Sequence, residues 1–447
     1  MSIIKRRIIV FITVLLATIL ISCGVNDSDD ESLKENNVDA LVSDKTILTL
    51  GIIDTLPYYT RDYATQFVIQ FNKGNENYHI EVVTYTGDDL SRLRTELMSG
   101  KGPDILYSLY YDSSTFTPLI NSRLLVDLLP FFDADPDIER EDFFPKIFQA
   151  MQSPDGSLYL IANQFWIPTL ISKPEIFSDS DSFTNTKFFD LIHSAIDDGM
   201  FYPMGAEWSR YDFLRFIFSY VDLGFIDVDN GVSNFESQAF YDYLNLALTL
   251  PIEVTLDPDF SLIAQMTKGE QIFKFVSIQD PNIIAVYDTL LGDYIIIGIP
   301  SDEGGIHGVN TVSNIAINAN SDNQDAAWLF LRRFLLPGGV PVDTSESAGL
   351  PVRVDIFDKQ IQFAMTRVGG IYFNDAGIQI KIDRLTEEGA QRLREVIDKI
   401  SFLSRPNDTI TDIIMEELPP FFAGNRSAEE VARVVQNRVQ KYLDERN

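Results

Sequence analysis

The sequence predicts an α/β fold made of two lobes. Strand-like apolar runs alternate with helix-like stretches from residue 46 to residue 108, the pattern of a parallel sheet flanked by helices. Roughly 400 residues follow a polar N-terminal segment. A chain of this length usually folds around two hydrophobic cores and not around a single one. The hydrophobic content of 45% is enough to fill two such cores.

The first five elements should form a βαβαβ unit. Their predicted bounds are a strand at 46–53, a helix at 63–72, a strand at 78–85, a helix at 88–100 and a strand at 102–108. In open α/β sheets, ligands bind beyond the carboxyl ends of the strands. Residues 54–59 and 107–112 are therefore the first places to expect a binding site.

The rest of the chain also alternates. Residues 175–275 have mostly helical patterning, and buried strands are predicted at 294–301 and 314–321. Ser321 or Asp322 could cap the next helix, which would bury Trp328 with its neighbours Leu331 and Leu335. A capping box that begins at Ser427 predicts the last helix, with a buried stripe of Val431, Val435, Val439 and Tyr442.

The N-terminus has the pattern of a secretory signal peptide. Lys5, Arg6 and Arg7 precede an apolar run at 8–21, which is shorter than the roughly 20 residues of a membrane-spanning helix. Cys23, the only cysteine, ends this run, so no disulfide can form within the chain. Residues 24–44 are polar and acidic, as expected of a disordered tether.

Composition excludes several functions. The formal net charge of −31 disfavours nucleic acid, anionic lipid headgroups and polyanionic ligands. Three histidines are too few and too scattered for a zinc site. The segment "DVDNGVSNFE" at 227–236 has its glycine at the fifth position, whereas a calcium loop needs it at the sixth. No cofactor is predicted.

Residues 20–23, "LISC", resemble the lipobox of bacterial lipoproteins, which implies cleavage before Cys23 and its lipidation (palmitate). Five further segments, in order, resemble the extracellular solute-binding proteins of ABC importers, the family that includes maltose-binding proteins. They are "LMSGKGPDILY", "SPDGSLYLIANQFWIPTLISKPEIF", "MTKGEQIFKF", "NIAINANSDNQDAAWLFLRRFL" and "GLPVRVDIF". The sequence departs from the family's pattern at 165–168 and 171–173, which bears on the identity of the ligand.

The resemblance implies a two-lobed, periplasmic-binding-protein-like fold whose lobes are joined by crossing strands. The implied domains are a signal peptide at 1–22, an acylated tether at 23–44, a first lobe at 45–162 and 303–345, and a second lobe at 163–302 and 346–447. It also implies a non-enzymatic subunit on the extracytoplasmic face of the cell membrane, held there only by its lipid. The implied partners are a carbohydrate, expected to be neutral, and the permease subunits of an ABC transporter.

A sugar site needs flat aromatic faces and planar polar groups that pair with hydroxyls. The candidates on predicted cleft loops are Asp54, Tyr58, Tyr59, Tyr107, Tyr110, Tyr111, Gln164, Trp166, Glu207, Trp208, Gln279, Asp280, Asn310 and Ser313. With 32 Phe and 18 Tyr, most aromatic residues must instead fill the core. Trp328 is assigned to the core because it lies on a buried helical stripe.

Two other classes stay open at this point. A secreted, membrane-anchored glycoside hydrolase would need two carboxylates roughly 5 or 6.5–9.5 Å apart. Spacing alone leaves Glu416 and Glu417 as candidates, although a solvated helix face also explains them. A surface adhesion protein is the other alternative.

Overall fold

The computed structural model describes residues 45–54, 60–177, 182–200, 202–205, 207–220, 224–227, 230–254, 262–301, 304–343, 347–367, 371–375 and 378–445. The chain divides into two units, Met1–Thr46 and Ile47–Asn447, and the fold belongs to the second. No helix in the described part is both long enough and apolar enough to span a membrane.

Thirteen strands are described. They are β1 (Thr46–Asp54), β2 (Tyr78–Thr86), β3 (Ile105–Tyr110), β4 (Ile161–Ser172), β5 (Ile226–Asp227), β6 (Val232–Ser233), β7 (Phe273–Ile278), β8 (Ile295–Gly298), β9 (His307–Ile317), β10 (Leu350–Pro351), β11 (Ile371–Asp375), β12 (Ile378–Ile382) and β13 (Ile400–Leu403). The predicted unit β1–helix–β2–helix–β3 is confirmed, with boundaries shifted by a few residues.

The described α-helices surround these strands. They are α1 (Thr60–Gly74), α2 (Leu90–Met98), α3 (Ser113–Asn121), α4 (Leu129–Ala134), α5 (Pro145–Met151), α6 (Asn185–Asp197), α7 (Arg210–Tyr220), α8 (Gln238–Thr249), α9 (Leu262–Thr267), α10 (Asn282–Leu291), α11 (Gln324–Leu335), α12 (Val354–Thr366), α13 (Glu387–Asp398), α14 (Asp408–Phe422) and α15 (Ala428–Asp444).

The main sheet is mixed and branched. Its central order is β10-β4-β9-β3-β1-β2, with β13 beside β9, and with β7 and β8 beside β4. Strands β1 and β3 pair in parallel, as predicted, with Leu50 opposite Ile105. Strand β9 pairs antiparallel with both β3 and β4, so the sheet as a whole is not the purely parallel one of a simple doubly wound fold.

Two long strands cross from one part of the fold to the other. The first half of β4 pairs with β9 and β10, whereas its second half pairs with β7 and β8. Strand β9 likewise pairs with β13 at its start and with β3 at its end. These shared strands are the crossings of a two-lobed α/β fold, so the predicted fold class is confirmed.

Most of the buried apolar residues described fall into two large clusters. The larger packs helices such as α1 and α11 on the central sheet, where Leu48, Phe330 and Leu331 are fully buried. A second cluster, rich in phenylalanine, joins α6, α8, α14 and α15 to the far half of β4. Burial of this apolar area supplies the main driving force for folding in a chain that can form no internal disulfide.

The helix termini mostly follow the sequence signals. Ser427 caps α15 through the predicted capping box, and Val431, Val435 and Val439 are buried beneath it. The predicted cap of α11 is wrong, because the helix begins at Gln324 with Asn323 in the N-cap position. The hydroxyl of Ser321 instead accepts from the Asn323 backbone N–H at 3.0 Å and donates to Asp104 at 2.6 Å.

Candidate functional site

A cavity of about 610 Å³ lies beside the crossing strand β9. Its lining comes from the helix after β3, the turn before β4, the middle of β9 and the β5–β6 turn. The end of β13 and Arg405, two positions beyond this strand, complete it. The residues are Tyr111, Thr117, Ile120, Asn121, Arg123, Met151, Ser153, Pro154, Asp155, Tyr159, Leu160, Asp227, Asn230, Thr311, Asn314, Leu403 and Arg405. This volume is in the range of small-molecule sites, roughly 300–1,000 Å³.

Two hydrogen-bonded side chains of β9 contribute to the cavity wall. The Thr311 hydroxyl donates to Asn314 Oδ1 at 2.7 Å, and Asn314 Nδ2 donates back to the Thr311 carbonyl at 3.3 Å. Both residues are only 2% exposed. Ser313, between them, has a φ of 58°, a backbone conformation that serine rarely adopts. The unusual backbone conformation of Ser313 thus lies between the two hydrogen-bonded residues, Thr311 and Asn314.

Two tyrosines supply aromatic faces. Tyr111 follows β3 and stacks on Phe116, with ring centroids 5.7 Å apart. Tyr159 is half-buried in the turn before β4, and its hydroxyl donates to Asp155 Oδ2 at 3.2 Å. The backbone N–H of Ser157 donates to the same carboxyl group at 3.0 Å and is the main cause that lowers the pKa of Asp155. Asp155 is therefore held ionised at neutral pH.

Residues distant in sequence complete the cavity. In the β5–β6 turn, the Asp227 carboxylate accepts from Asn230 N at 3.0 Å and from Asn230 Nδ2 at 2.7 Å. Beyond β13, the Pro406 carbonyl accepts from Ser113 N at 2.9 Å, and the Arg405 carbonyl accepts from the Ser113 hydroxyl at 3.3 Å. These two bonds join the N-terminus of α3 to the segment that carries Arg405.

The arrangement suits a polar, ring-shaped solute. Tyrosine faces can stack on the C–H face of a sugar ring, while amide, carboxylate and guanidinium groups pair with hydroxyls. The described residues contain no cluster of His, Cys, Asp or Glu that could hold a metal ion. The cavity is thus equipped for binding by stacking and hydrogen bonds.

Among the predicted solute contacts, Tyr111 lines this cavity. Tyr110 is the residue before Tyr111 in the chain. Tyr110 is 38% exposed at the end of β3, where it pairs with Val312. Trp166 and Asn310 lie opposite each other across β4 and β9. Trp166 is half-buried and Asn310 is buried. Strand register therefore brings these predicted residues to the crossing, but the cavity lining includes none of Tyr110, Trp166 and Asn310.

Three other predicted residues have structural partners. Tyr107 and Ser313 are both 0% exposed, and their hydroxyl groups lie 3.1 Å apart in a hydrogen bond. Gln164 is equally buried, and its Oε1 accepts from Ser347 Oγ at 2.8 Å and from Ala348 N at 3.0 Å. Gln164 thus ties the segment before β10 to the crossing strand β4.

The predicted residues of the second lobe do not line this cavity. Glu207 forms an ion pair with Lys274 at 2.9 Å. Trp208 packs against Phe213, Phe216 and Phe275. Gln279 is exposed.

Asp280, the last of this group, stabilises the start of α10. Its carboxylate accepts from Asn282 N at 2.7 Å, and burial raises its pKa. Asp54 ends β1 in the backbone, but its side chain, Tyr58, Tyr59 and Cys23 all lie outside the described residues.

Several residues of the cavity lining were not predicted from the sequence. Tyr159 lies inside a segment that resembles the solute-binding family, which was the available signal for it. Asp227 and Asn230 lie in the segment that was rejected as a calcium loop, and the sequence predicted no binding role for them. Asn121, Arg123 and Arg405 offered no local signal, because only the tertiary fold brings them to the cavity.

The acidic pair considered for a hydrolase is engaged elsewhere. Glu416 and Glu417 on α14 both accept from Arg438 on α15, at 2.6 Å each, and Glu417 also pairs with Arg426 at 2.7 Å. Neither residue lines the cavity. The pair thus fastens α14 to α15.

Comparison with known proteins agrees with the fold. The family model described as bacterial extracellular solute-binding protein matches residues 54–340. A search of curated protein sequences gave no match.

Three solved structures illustrate the likeness of fold. The sugar-binding protein MalE of Xanthomonas citri has 14% identity and a TM-score of 0.54, over 90% of this chain and 98% of that one. The cyclic alpha-maltosyl-1,6-maltose binding protein of Arthrobacter globiformis has 15% identity and a TM-score of 0.51, over 90% and 100%. A solute-binding protein of Thermotoga lettingae bound with alpha-D-tagatose has 15% identity and a TM-score of 0.51, over 89% and 100%. The model match spans more than half of the chain, and the chain therefore belongs to the family of bacterial extracellular solute-binding proteins.

Proposed function

We propose that this protein is the lipid-anchored solute-binding subunit of an ABC importer and that it captures a carbohydrate in the cavity beside β9. The single observation that supports this best is the cavity lining, which combines two tyrosines with asparagine, aspartate and arginine residues. Similar folds are those of proteins described as sugar-binding, as binding cyclic alpha-maltosyl-1,6-maltose, or as bound with alpha-D-tagatose.

Capture would involve movement of the lobes about their crossings. In this proposal the first lobe is 45–162 with 303–345, and the second is 163–302 with 346–447. Strands β4 and β9 would form the hinge, together with the segment that Gln164 fastens to β4 through Ala348. Hinge closure around a solute is a common response of two-lobed proteins. The closed form would then be the one presented to the permease.

Anchoring would come from acyl chains on Cys23. Each buried methylene contributes about 0.8 kcal/mol to membrane binding, and two or more chains hold a protein stably. The acidic segment 24–44 would act as a tether between this anchor and the fold. The protein would then work on the extracytoplasmic face of the cell membrane.

Binding without turnover is favoured over hydrolysis. A glycosidase needs a carboxylic acid that stays protonated so that it can donate to the leaving group. The pKa of Asp155 in the cavity is lowered instead, chiefly by the Ser157 N–H. Asp155, one of the two carboxylates of the lining, is thus suited to accept hydrogen bonds from a solute.

A thermal-shift screen tests the proposed ligand class. The purified chain would be heated with saccharides, amino acids, short peptides and metal ions. A ligand present at 100 times its Kd adds about 2.7 kcal/mol to the free energy of unfolding, which gives a visible shift. Stabilisation by saccharides that remain intact by mass spectrometry supports the proposal. Stabilisation only by another class, or cleavage of the sugar, would refute it.

A further inference from the structure

We infer that the solute of this cavity bears a single carboxylate, as a uronic acid residue does in a mono- or oligosaccharide. This inference rests on the proposed function and adds a charge to its ligand. Two arginines, Arg123 and Arg405, line the cavity in a chain whose formal net charge is −31. Positive groups placed at a binding cavity in so acidic a protein point to an anionic group on the ligand.

The two carboxylates of the lining already have donors within the protein. Asp155 accepts from Ser157 N and from the Tyr159 hydroxyl. Asp227 accepts from both the backbone and the side chain of Asn230. The oxygens of Asp155 and Asp227 thus already accept hydrogen bonds within the protein. The N–H and O–H dipoles of these donors partly balance the two negative charges.

Arg123 differs from these carboxylates. It lies just after α3 with a φ of 54°, and its backbone N–H bonds to the Ile120 carbonyl at 2.8 Å. Within the described part of the chain, its guanidinium has no ion-pair or hydrogen-bond partner. The side chain is exposed and borders the cavity. Its five donors are therefore available to an incoming acceptor.

Arg405 faces the same cavity from the segment after β13. Its carbonyl accepts from the Ser113 hydroxyl, which fixes the backbone of this segment against α3. Arginine binds carboxylates through two parallel N–H···O bonds, a geometry that lysine cannot supply. A carboxylate on a sugar ring would thus be recognised by the charge and shape of the Arg123 guanidinium, with Arg405 adding positive charge to the same lining, while the tyrosines cover the ring.

The charge of the ligand has an upper limit. Asp155 and Asp227 border the same space, and the acidic surface opposes each additional negative charge. A phosphate dianion or a polyuronide would meet this repulsion more than once. Two arginines and two aspartates give the described lining a formal charge of zero, so a ligand with one carboxylate meets less repulsion than a ligand with several. The cleft-loop residues and the family resemblance had predicted a neutral sugar.

Matched saccharides would test the inference on the full chain. The probes are galacturonate with its methyl ester and galactose, an aldobiouronic acid with its methyl ester and the neutral disaccharide, and glucose 6-phosphate. Titration calorimetry at low and high salt gives each Kd. Hydrogen bonds to charged groups are strong enough that the acids should bind at least about tenfold tighter than their esters. This preference should shrink as salt rises.

Two variants assign the preference to the cavity. Arg123→Gln should remove most of the discrimination between acid and ester, because only the acid loses a charge-assisted pair with the guanidinium group. Arg433→Gln replaces an exposed arginine of α15 outside the cavity and should keep the full preference. Circular dichroism melting curves show whether each variant is folded.

The outcomes separate this inference from the proposed function. Tight binding of esters or neutral sugars, with no gain for the acids, would overturn the inference and keep carbohydrate capture. Preferred binding of the sugar phosphate, or equal discrimination in Arg123→Gln, would also overturn it. Binding of neither acidic nor neutral saccharides would reject both ideas together.

Discussion

The hydroxyl of Thr311 donates a 2.7 Å hydrogen bond to Asn314 Oδ1, so two polar side chains on the cavity wall hold each other in place. Both are almost fully buried on a crossing strand. The bond fixes the orientation of the Asn314 amide group before any solute binds. Such pre-organisation reduces the entropy that binding would otherwise cost.

Replacing Thr311 by valine tests this arrangement. The substitution keeps the shape of the side chain but leaves Asn314 Oδ1 buried without its donor, which should lower the free energy of unfolding by about 1–3 kcal/mol. Solute affinity should also fall, because the amide keeps only one of its two bonds to residue 311. Thr311→Ser keeps the hydroxyl and serves as the control. Denaturant unfolding and calorimetry measure the two effects. Unchanged values for Thr311→Val would contradict the assigned role.

Two tryptophans should respond in different ways. Trp328 is buried on α11, and its Nε1 donates to Asp135 at 2.9 Å, so Trp328→Ala should cost about 3–5 kcal/mol of stability. The solute affinity of the folded fraction should stay unchanged.

Trp166 is half-buried at the crossing beside Asn310. Trp166→Ala should weaken solute binding several-fold, because a stacking face is lost. Calorimetry on both variants, with melting curves as the control for folding, makes the comparison. Native affinity in Trp166→Ala would show that this ring does not contact solute.

His307 should make stability depend on pH. Burial, assisted by the charge of Lys399, lowers its pKa from 6.5 to about 4, and its Nδ1 has no hydrogen-bond partner among the residues that the structure describes. The unfolded chain therefore binds more protons than the folded one between these values, so stability falls as the pH drops through this window. The loss from pH 7 to pH 5 should be about 2 kcal/mol.

Urea unfolding at several pH values can isolate this contribution. Native protein and His307→Gln would be compared, because carboxylates contribute equally to both. The variant should lose less stability over the same pH interval. Parallel curves for the two proteins would show that His307 is not the responsible group.

Removal of the proposed lipid site should release the protein. Cys23→Ala should move it from the membrane fraction to the soluble one, because the acyl chains supply the anchoring energy. Fractionation followed by immunoblotting measures the distribution, and detergent extraction of native protein is the control. A variant that stays in the membrane fraction as firmly as native protein would locate the anchor elsewhere.

Periodicity predicted the helices and buried strands because burial leaves a local pattern. The stripe of Val431, Val435 and Val439 is an example. Strand β9 was harder, since it begins at His307, seven residues before the predicted start. Its first half is polar and buried, and pairing with neighbouring strands satisfies it, so alternation of apolar residues could not reveal it.

The candidate site was only partly predictable. Tyr111 was found because it follows a parallel strand, whereas Tyr107 lies on the buried part of the same strand and bonds Ser313. Asp227 and Arg405 come from turns far apart in sequence, and only long-range packing sets them around one cavity. The spacing of residues within one segment contains no information about such long-range contacts.

The most direct test of the account is the affinity of a saccharide for Tyr159 variants, measured by titration calorimetry. The best saccharide from the thermal-shift screen would be titrated into native protein, Tyr159→Phe and Tyr159→Ala. Loss of a stacked ring should raise Kd at least about tenfold in Tyr159→Ala, while Tyr159→Phe, which keeps the ring, should stay within a few-fold of native. Native affinity in a folded Tyr159→Ala would contradict the assignment of this cavity as the sugar site.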